Sequence, residues 1–286
     1  MSASLPDNPR RPLVHGHRGC RGLRPENTLP AFHHAVALGV DVLELDVVIS
    51  ADGQVVVSHE PWPSAAFCSG PDGEPLRPEQ ERAVNFFRLP YARIQAFDCG
   101  RRGHPGFPEQ VPIPAQKPLL AEVIRTADAL ARQLGRPLPG YAIELKCGPA
   151  GDGIWHPAPA AFVELVLAVL GPDELLTRTT LLAFDGRVLQ AARHRSPALR
   201  LCLLTEQPFA VPEVFRSLGF VPQVFGPDFT LLTRASVLQL RQQFPGLELV
   251  PWTINSSAEL ATALNWPLDG ITTDYPDRLL TLLGRP

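Results

Sequence analysis

Strand-like and helix-like segments alternate eight times along this chain, and that order restricts its fold more than any other feature. Short apolar, β-branched runs occupy 13–16, 42–48, 141–145, 179–184, 200–204, 222–225, 248–253 and 270–272. Segments with helical spacing stand between and after them, at 29–38, 119–134, 160–170, 186–194, 212–218, 233–244, 257–264 and 276–283. Some carry start signals, such as Asn255-Ser256-Ser257-Ala258-Glu259, a serine cap followed by an acidic first turn. Alternation of this kind implies parallel strands joined by helical crossovers. Eight such units in 286 residues match an α/β architecture of (β/α)8 TIM-barrel type, with residues 1–286 as one domain. A doubly wound open sheet is the competing arrangement. It would favour a glycine-rich phosphate turn after the first strand, but the glycines of 15–22 are not in GxGxxG order and no acidic residue follows in the ribose position.

One stretch breaks the pattern. Ser50-Ala51-Asp52-Gly53 is a turn signal, so 54–58 should pair back on the second strand as a β-hairpin. Residues 60–118 then form a long insertion, rich in Pro, Gly and aromatics, which is expected over the barrel mouth. Apolar residues at 45% and charged residues at 19% supply a sizeable core. A net charge of −3 gives no basic field for nucleic acid. No run of about 18 apolar residues offers a membrane span, and the N-terminus shows no export signal. Cysteines 20, 68, 99, 147 and 202 are odd in number and include no CxxC pair, so neither a zinc clip nor a disulfide framework is expected. That spacing implies a reducing, cytoplasmic setting. Lys117 and Lys146 are the only lysines among 26 basic residues, which singles both out.

On a barrel, the residues at the C-terminal strand ends line the active face. Here they are charged: His17 and Arg18 after the first strand, Glu44 and Asp46 on the second, His59 after the hairpin, and Glu144 and Lys146 on the third. Glu44 and Asp46 are two apart and share one face, as do Glu144 and Lys146. Carboxylates inside a barrel must be paired or metal-bound, and three converging acids suit Mg²⁺ or Ca²⁺. Surface or salt-bridged acids are the plainer alternative. Two histidines at one mouth suit proton transfer in and out near neutral pH. Arg18 could fork onto a phosphate or pair with Glu26, while Asn27 is expected to cap the first helix, with a supporting role in the site as the alternative. Trp252 could wall the substrate or pack the rim. Gly270 is expected to permit close packing, and His156, His194 and the cysteines are expected to be structural.

The strings His17-Arg18-Gly19, Pro25-Glu26-Asn27-Thr28, Glu44-Leu45-Asp46-Val47, Asp52-Gly53 before His59, Ile143-Glu144-Leu145-Lys146, Pro251-Trp252-Thr253-Ile254-Asn255 and the stretch 269–276 together resemble the glycerophosphodiester phosphodiesterases. The resemblance spans nearly the whole chain. It implies a metal-dependent TIM-barrel enzyme that hydrolyses small-molecule glycerophosphodiesters to glycerol 3-phosphate and an alcohol. Glu44, Asp46 and Glu144 would hold the metal, His17 and His59 would be general base and general acid, and Arg18 and Lys146 would meet the phosphate. Internal attack by the glycerol 2-hydroxyl is the favoured form, because intramolecular reaction needs less ordering, with direct attack by water as the alternative. Two departures stand out: Glu60 follows His59 where the family usually has Asp, and Ala183 stands where it usually has Ser. A lysophospholipase D activity and a non-catalytic glycerophosphodiester-binding barrel are the alternative functions.

Overall fold

The computed structural model describes residues 11–171, 173–208 and 211–285. The N-terminal segment 1–10, where the absence of an export signal was read, lies outside them. Among the described residues nine strands form one sheet: β1 (Leu13–Gly16), β2 (Val42–Ile49), β3 (Val55–Val57), β4 (Gly140–Leu145), β5 (Thr179–Ala183), β6 (Arg200–Thr205), β7 (Val224–Pro227), β8 (Glu248–Leu249) and β9 (Gly270–Thr273). Their order is β8-β7-β6-β5-β4-β2-β1-β9, with every pair parallel except β2 and β3. The two ends of this order meet through three bonds: Asp269 N–H donates to Leu249 O, Thr272 N–H to Pro251 O and Ile254 N–H to Thr272 O, at 3.0, 3.1 and 3.0 Å. The result is a nearly closed barrel of eight parallel strands.

The hairpin forms as expected, with Val47 opposite Val57 and Ile49 opposite Val55. Its turn needs Gly53, which sits at φ +74°. β7 and β8 differ from the sequence expectation of strands at 222–225 and 248–253. β7 begins at Val224 because Pro222 cannot donate to the ladder, and β8 shortens to two residues because Pro251 interrupts it. Gly270 permits a close approach, since a Cβ there would lie 2.8 Å from His15 Nε2.

Strand alternation divides the side chains between two environments. Leu43, Leu45 and Val47 point outward into the main core, where they meet Phe32 and Val36 of the helix Leu29–Leu38 and Leu120 and Val123 of the helix Leu120–Gln133. Glu44 and Asp46 therefore face the barrel interior, and each is buried. Helix Leu29–Leu38 starts from Thr28, not Asn27, and Thr28 makes no side-chain cap bond.

Segment 60–118 carries the short helices Pro78–Glu81 and Tyr91–Ile94 and a 3₁₀ turn at Phe86–Arg88. Phe86 and Ile94 pack on Val48 and Val56 of the hairpin, while Phe67 and Phe97 pack with Cys68 and Cys99 in a second cluster. The expectation of unpaired cysteines is corrected here: Cys68 and Cys99 form a disulfide across 31 residues. The sequence spacing concealed it because the chain turns back between the two cysteines, where Ser69 and Asp98 exchange backbone bonds of 2.7 and 3.2 Å. The pairing also removes the cysteine argument for a reducing compartment. Among the described residues no helix is long and apolar enough to cross a membrane.

A cross-link over that span restricts the unfolded chain by about 3–4 kcal/mol in the loop-entropy description. Cys68→Ser with Cys99→Ser should lower the melting temperature by several degrees, an outcome scanning calorimetry would register and an unchanged transition would refute.

Candidate active site

The register of β2 against β4 sets Asp46 opposite Glu144 and Glu44 opposite Ala142. Carboxylate oxygens of Glu44, Asp46 and Glu144 consequently lie within 4.8 Å of one another, with all three residues buried. Burial raises the Glu44 carboxyl above its ordinary value, and its neighbours Asp46 and Glu144 push it further. Burial also raises Glu144, against the pull of Lys146. Asp46 moves the other way despite its burial, held low by Arg18, His59 and Lys146 and by the Asn27 amide. Three convergent oxygen donors, balanced in part by Lys146 and Arg18, fit a divalent metal ion.

Two residues outside the glycines hold left-handed backbone here, Arg18 at φ +50° and Asn27 at φ +54°. Such conformations cost about 1–2 kcal/mol per residue and persist where the surroundings enforce them. Their effect is to aim donors at the acids. Arg18 N–H donates to Glu44 Oε2 at 2.8 Å, and Asn27 Nδ2 donates to Asp46 Oδ2 at 2.8 Å. Asn27 thus bonds an acid of the cluster and does not cap the helix. The Arg18 side chain takes up the ion pair weighed for it: Nη1 donates to Glu26 Oε1 at 2.8 Å, while Nε lies 3.3 Å from Asp46 and finds no hydrogen-bond acceptor. Arg18, Lys117 and Arg21 hold the Glu26 carboxyl down at about 2 against a burial that would raise it. Lys146 Nζ donates to Glu144 Oε1 at 2.7 Å and lies 3.6 Å from Asp46.

Each histidine is held by an acid. His17 Nδ1 lies 2.7 Å from Asp274 Oδ1, and His59 Nδ1 lies 2.8 Å from Glu60 Oε1. With Nδ1–H donating to the carboxylate, Nε2 is the free nitrogen in both rings. His17 Nε2 stands 3.8 Å from Glu44 Oε2. Burial lowers the His17 pKa below its ordinary value while Asp274 opposes the shift. The replacement of Asp by Glu at position 60 therefore keeps a carboxylate on His59.

Asp274 is the principal residue that sequence reasoning missed. It is fully buried, accepts from Arg21 Nε and Nη2 at 2.8 and 3.0 Å and from Asn255 Nδ2 at 2.8 Å, and is held low by His17 and Arg21 against its burial. Its place just after the last strand was the available signal, since that is where barrel active-site residues stand. Trp252 lies at the mouth, with Nε1 donating to Gly226 O at 2.8 Å and its ring edge-on to Phe184 at 5.6 Å. A second donor cluster, Cys147, Asp152 and His156, lies outside this group. Arg187 binds Asp152 there as well as the neighbouring Asp185, so the one carboxylate of that cluster is ion-paired.

A cavity of about 780 Å³ runs from His17, Glu44, Glu144 and Lys146 into the barrel, and a smaller one of about 250 Å³ lies on the insertion side of His59. Such a mouth, with three convergent acids, two acid-held imidazoles and two guanidinium or ammonium groups, has the chemistry suited to a barrel hydrolase of phosphate esters.

Comparison with known proteins specifies which. The glycerophosphoryl diester phosphodiesterase family profile matches residues 17–278, and the chain belongs to this family. It is 27% identical to a provisionally assigned glycerophosphodiester phosphodiesterase of Bacillus subtilis (strain 168), over 92% of this chain and 95% of that protein. A solved structure from Silicibacter pomeroyi DSS-3, provisionally assigned as a glycerophosphoryl diester phosphodiesterase, superposes with a TM-score of 0.83 at 31% identity, covering 96% and 94% of the two chains. An Oleispira antarctica phosphodiesterase, solved with its product sn-glycerol 3-phosphate, shares the fold at a TM-score of 0.73 and 22% identity, covering 96% and 97%.

Proposed function

We propose that the protein hydrolyses glycerophosphodiesters to glycerol 3-phosphate and an alcohol in a metal-dependent reaction, with His17 as general base and His59 as general acid. The observation that carries this is the placing of two acid-held histidines at the mouth that holds three convergent carboxylates. Glu44, Asp46 and Glu144 would hold Mg²⁺ or Ca²⁺, which supplies Lewis-acid stabilisation of the phosphoryl oxygens when bound. The Oleispira antarctica phosphodiesterase that shares this fold was solved with sn-glycerol 3-phosphate as its product, the product proposed for this chain.

Arg18 and Lys146 balance charge on the phosphate through hydrogen bonds that strengthen as negative charge develops. His17 Nε2 takes the proton of the glycerol 2-hydroxyl, and that oxygen forms its bond to phosphorus. The bond from phosphorus to the leaving oxygen breaks as His59 Nε2 delivers a proton to it. Water then opens the cyclic phosphate in the reverse proton sense, with His59 now the base. Trp252 and Phe184 form the apolar wall, and segment 60–118 covers the mouth beside His59.

Asp274 keeps His17 in the tautomer with Nε2 free. Asp274→Asn should cut kcat by about 10²–10⁴, in line with the loss of an imidazole's orienting carboxylate elsewhere. It should also move the acid limb of kcat/KM to lower pH, because Asp274 raises the His17 pKa and removing it leaves burial to lower it further. A profile whose acid limb stays put would remove Asp274 from this role.

The defining assay is release of glycerol 3-phosphate from glycerophosphodiesters with Mg²⁺ or Ca²⁺ and with EDTA. Release with metal and none with EDTA is expected; metal-independent release would overturn the proposed metal role.

A second reading, hydrolysis of lysophospholipids, is favoured by one observation. Below the acids the 780 Å³ cavity is lined by Ala142, Leu182, Leu204, Val224 and Val250, an apolar path that an acyl chain could enter. Lysophosphatidylcholine assayed against glycerophosphocholine separates the two.

A further inference from the structure

Lys117, one of the two lysines in the chain, is absorbed by none of these roles. Its backbone is fixed: Val57 N–H donates to the neighbouring Pro118 O at 2.8 Å, and the Tyr91 hydroxyl donates to Lys117 O at 3.1 Å. Its side chain is 2% exposed and lines the 250 Å³ basin on the insertion side of His59. Three N–H groups leave its Nζ, yet it donates to one protein acceptor, Glu26 O at 3.3 Å. Among the described residues no carboxylate lies within ion-pair distance of it. A buried ammonium with donors unspent toward a cavity calls for a ligand oxygen.

The other walls narrow the ligand. Arg18 and Arg21 line it together with Glu26 and Glu60, whose carboxylates they and His59 engage, and Ser64 adds a hydroxyl, so the basin presents both donors and acceptors. Two aromatic rings line it, but each already has a cation: Lys117 Nζ lies 5.4 Å from the Phe67 ring centre, and the Arg82 guanidinium lies 4.9 Å from that of Trp62. Rings so occupied are poor partners for a quaternary ammonium. They remain suited to the C–H faces of a polyol.

The geometry points to this basin as the leaving-alcohol site, selecting a hydroxyl-rich polyol head group to whose oxygens Lys117 donates. This rests on the proposed phosphodiesterase reading, in which His59 protonates the leaving alcohol, because His59 lines both the main cavity and this basin. Burial holds the Lys117 pKa down at about 8, against Glu26, so an oxygen ligand also relieves a costly charge. Lys117 is then a specificity-determining residue and takes no part in bond making.

The test is kcat/KM for glycerophosphoglycerol, glycerophosphoinositol and glycerophosphocholine with the wild type and Lys117→Met. The wild type should favour the polyol esters by about tenfold or more, and the variant should reduce that polyol-to-choline ratio by about tenfold. A variant that slows all three substrates by one factor would mark Lys117 as merely structural and overturn the proposal. So would a wild type without preference or favouring choline. If Lys117→Met fails to fold, the wild-type ratio alone decides. A wild type inactive on all three would instead overturn the phosphodiesterase reading, and the head-group site with it.

Discussion

His59→Ala should lose about 10²–10⁴-fold in kcat on glycerophosphodiesters with alkyl alcohols but less than about tenfold on a p-nitrophenyl ester of glycerol phosphate. The difference follows from the leaving group. An alkoxide needs a proton as its bond to phosphorus breaks, whereas p-nitrophenolate leaves without one. His17→Ala should lose the larger factor on both substrates, because removal of the attacking hydroxyl's proton does not depend on what leaves. Positions support this division: His17 Nδ1 is bound by Asp274 with Nε2 turned to Glu44, while His59 is bound by Glu60 at the edge shared with the second basin. Rates measured with both esters for both variants decide the matter. Equal losses on the two esters for His59→Ala would reverse the assignment of the acid.

Glu44→Gln should abolish metal-stimulated turnover while making the metal-free protein more stable, by about 1–3 kcal/mol near neutral pH. Function and stability part here because Glu44 is a buried acid between two others. Its folded pKa is raised by burial and by Asp46 and Glu144. Between the unfolded carboxyl value and that raised value the native state binds more protons, so metal-free stability falls as pH rises through this window. A glutamine removes the charge and that pH dependence, and with them a ligand. Thermal melts of the wild type and Glu44→Gln with EDTA from pH 5 to 8 should diverge as pH rises, and added Mg²⁺ or Ca²⁺ should narrow the gap by stabilising the wild type. Parallel melting curves, or a variant less stable throughout, would show that the acids are not held in mutual repulsion.

Much of this protein is written locally. Strand alternation is a two-residue period, so Glu44 and Asp46 had to share a face opposite Leu43 and Leu45 once the segment was a strand. The strand-helix order demanded parallel crossovers, and the active face followed from the C-terminal strand ends. Turn chemistry at Asp52-Gly53 gave the hairpin. These rules depend only on neighbours along the chain, and for that reason the fold class, and the His17, Glu44, Asp46, Glu144 and Lys146 group, were legible without coordinates.

What remained depended on residues far apart in sequence. Asp274 reaches His17 across 257 positions because β9 pairs beside β1 as the barrel comes round, and no local period signals that partner. Cys68 and Cys99 meet because the insertion doubles back, and Asn27 leaves the helix cap for Asp46 because its left-handed backbone turns it into the barrel. Periodicity along the chain assigned each side chain a face; only the closure of the barrel and the folding back of the insertion decided which faces meet, because those contacts are set by the packing of distant segments.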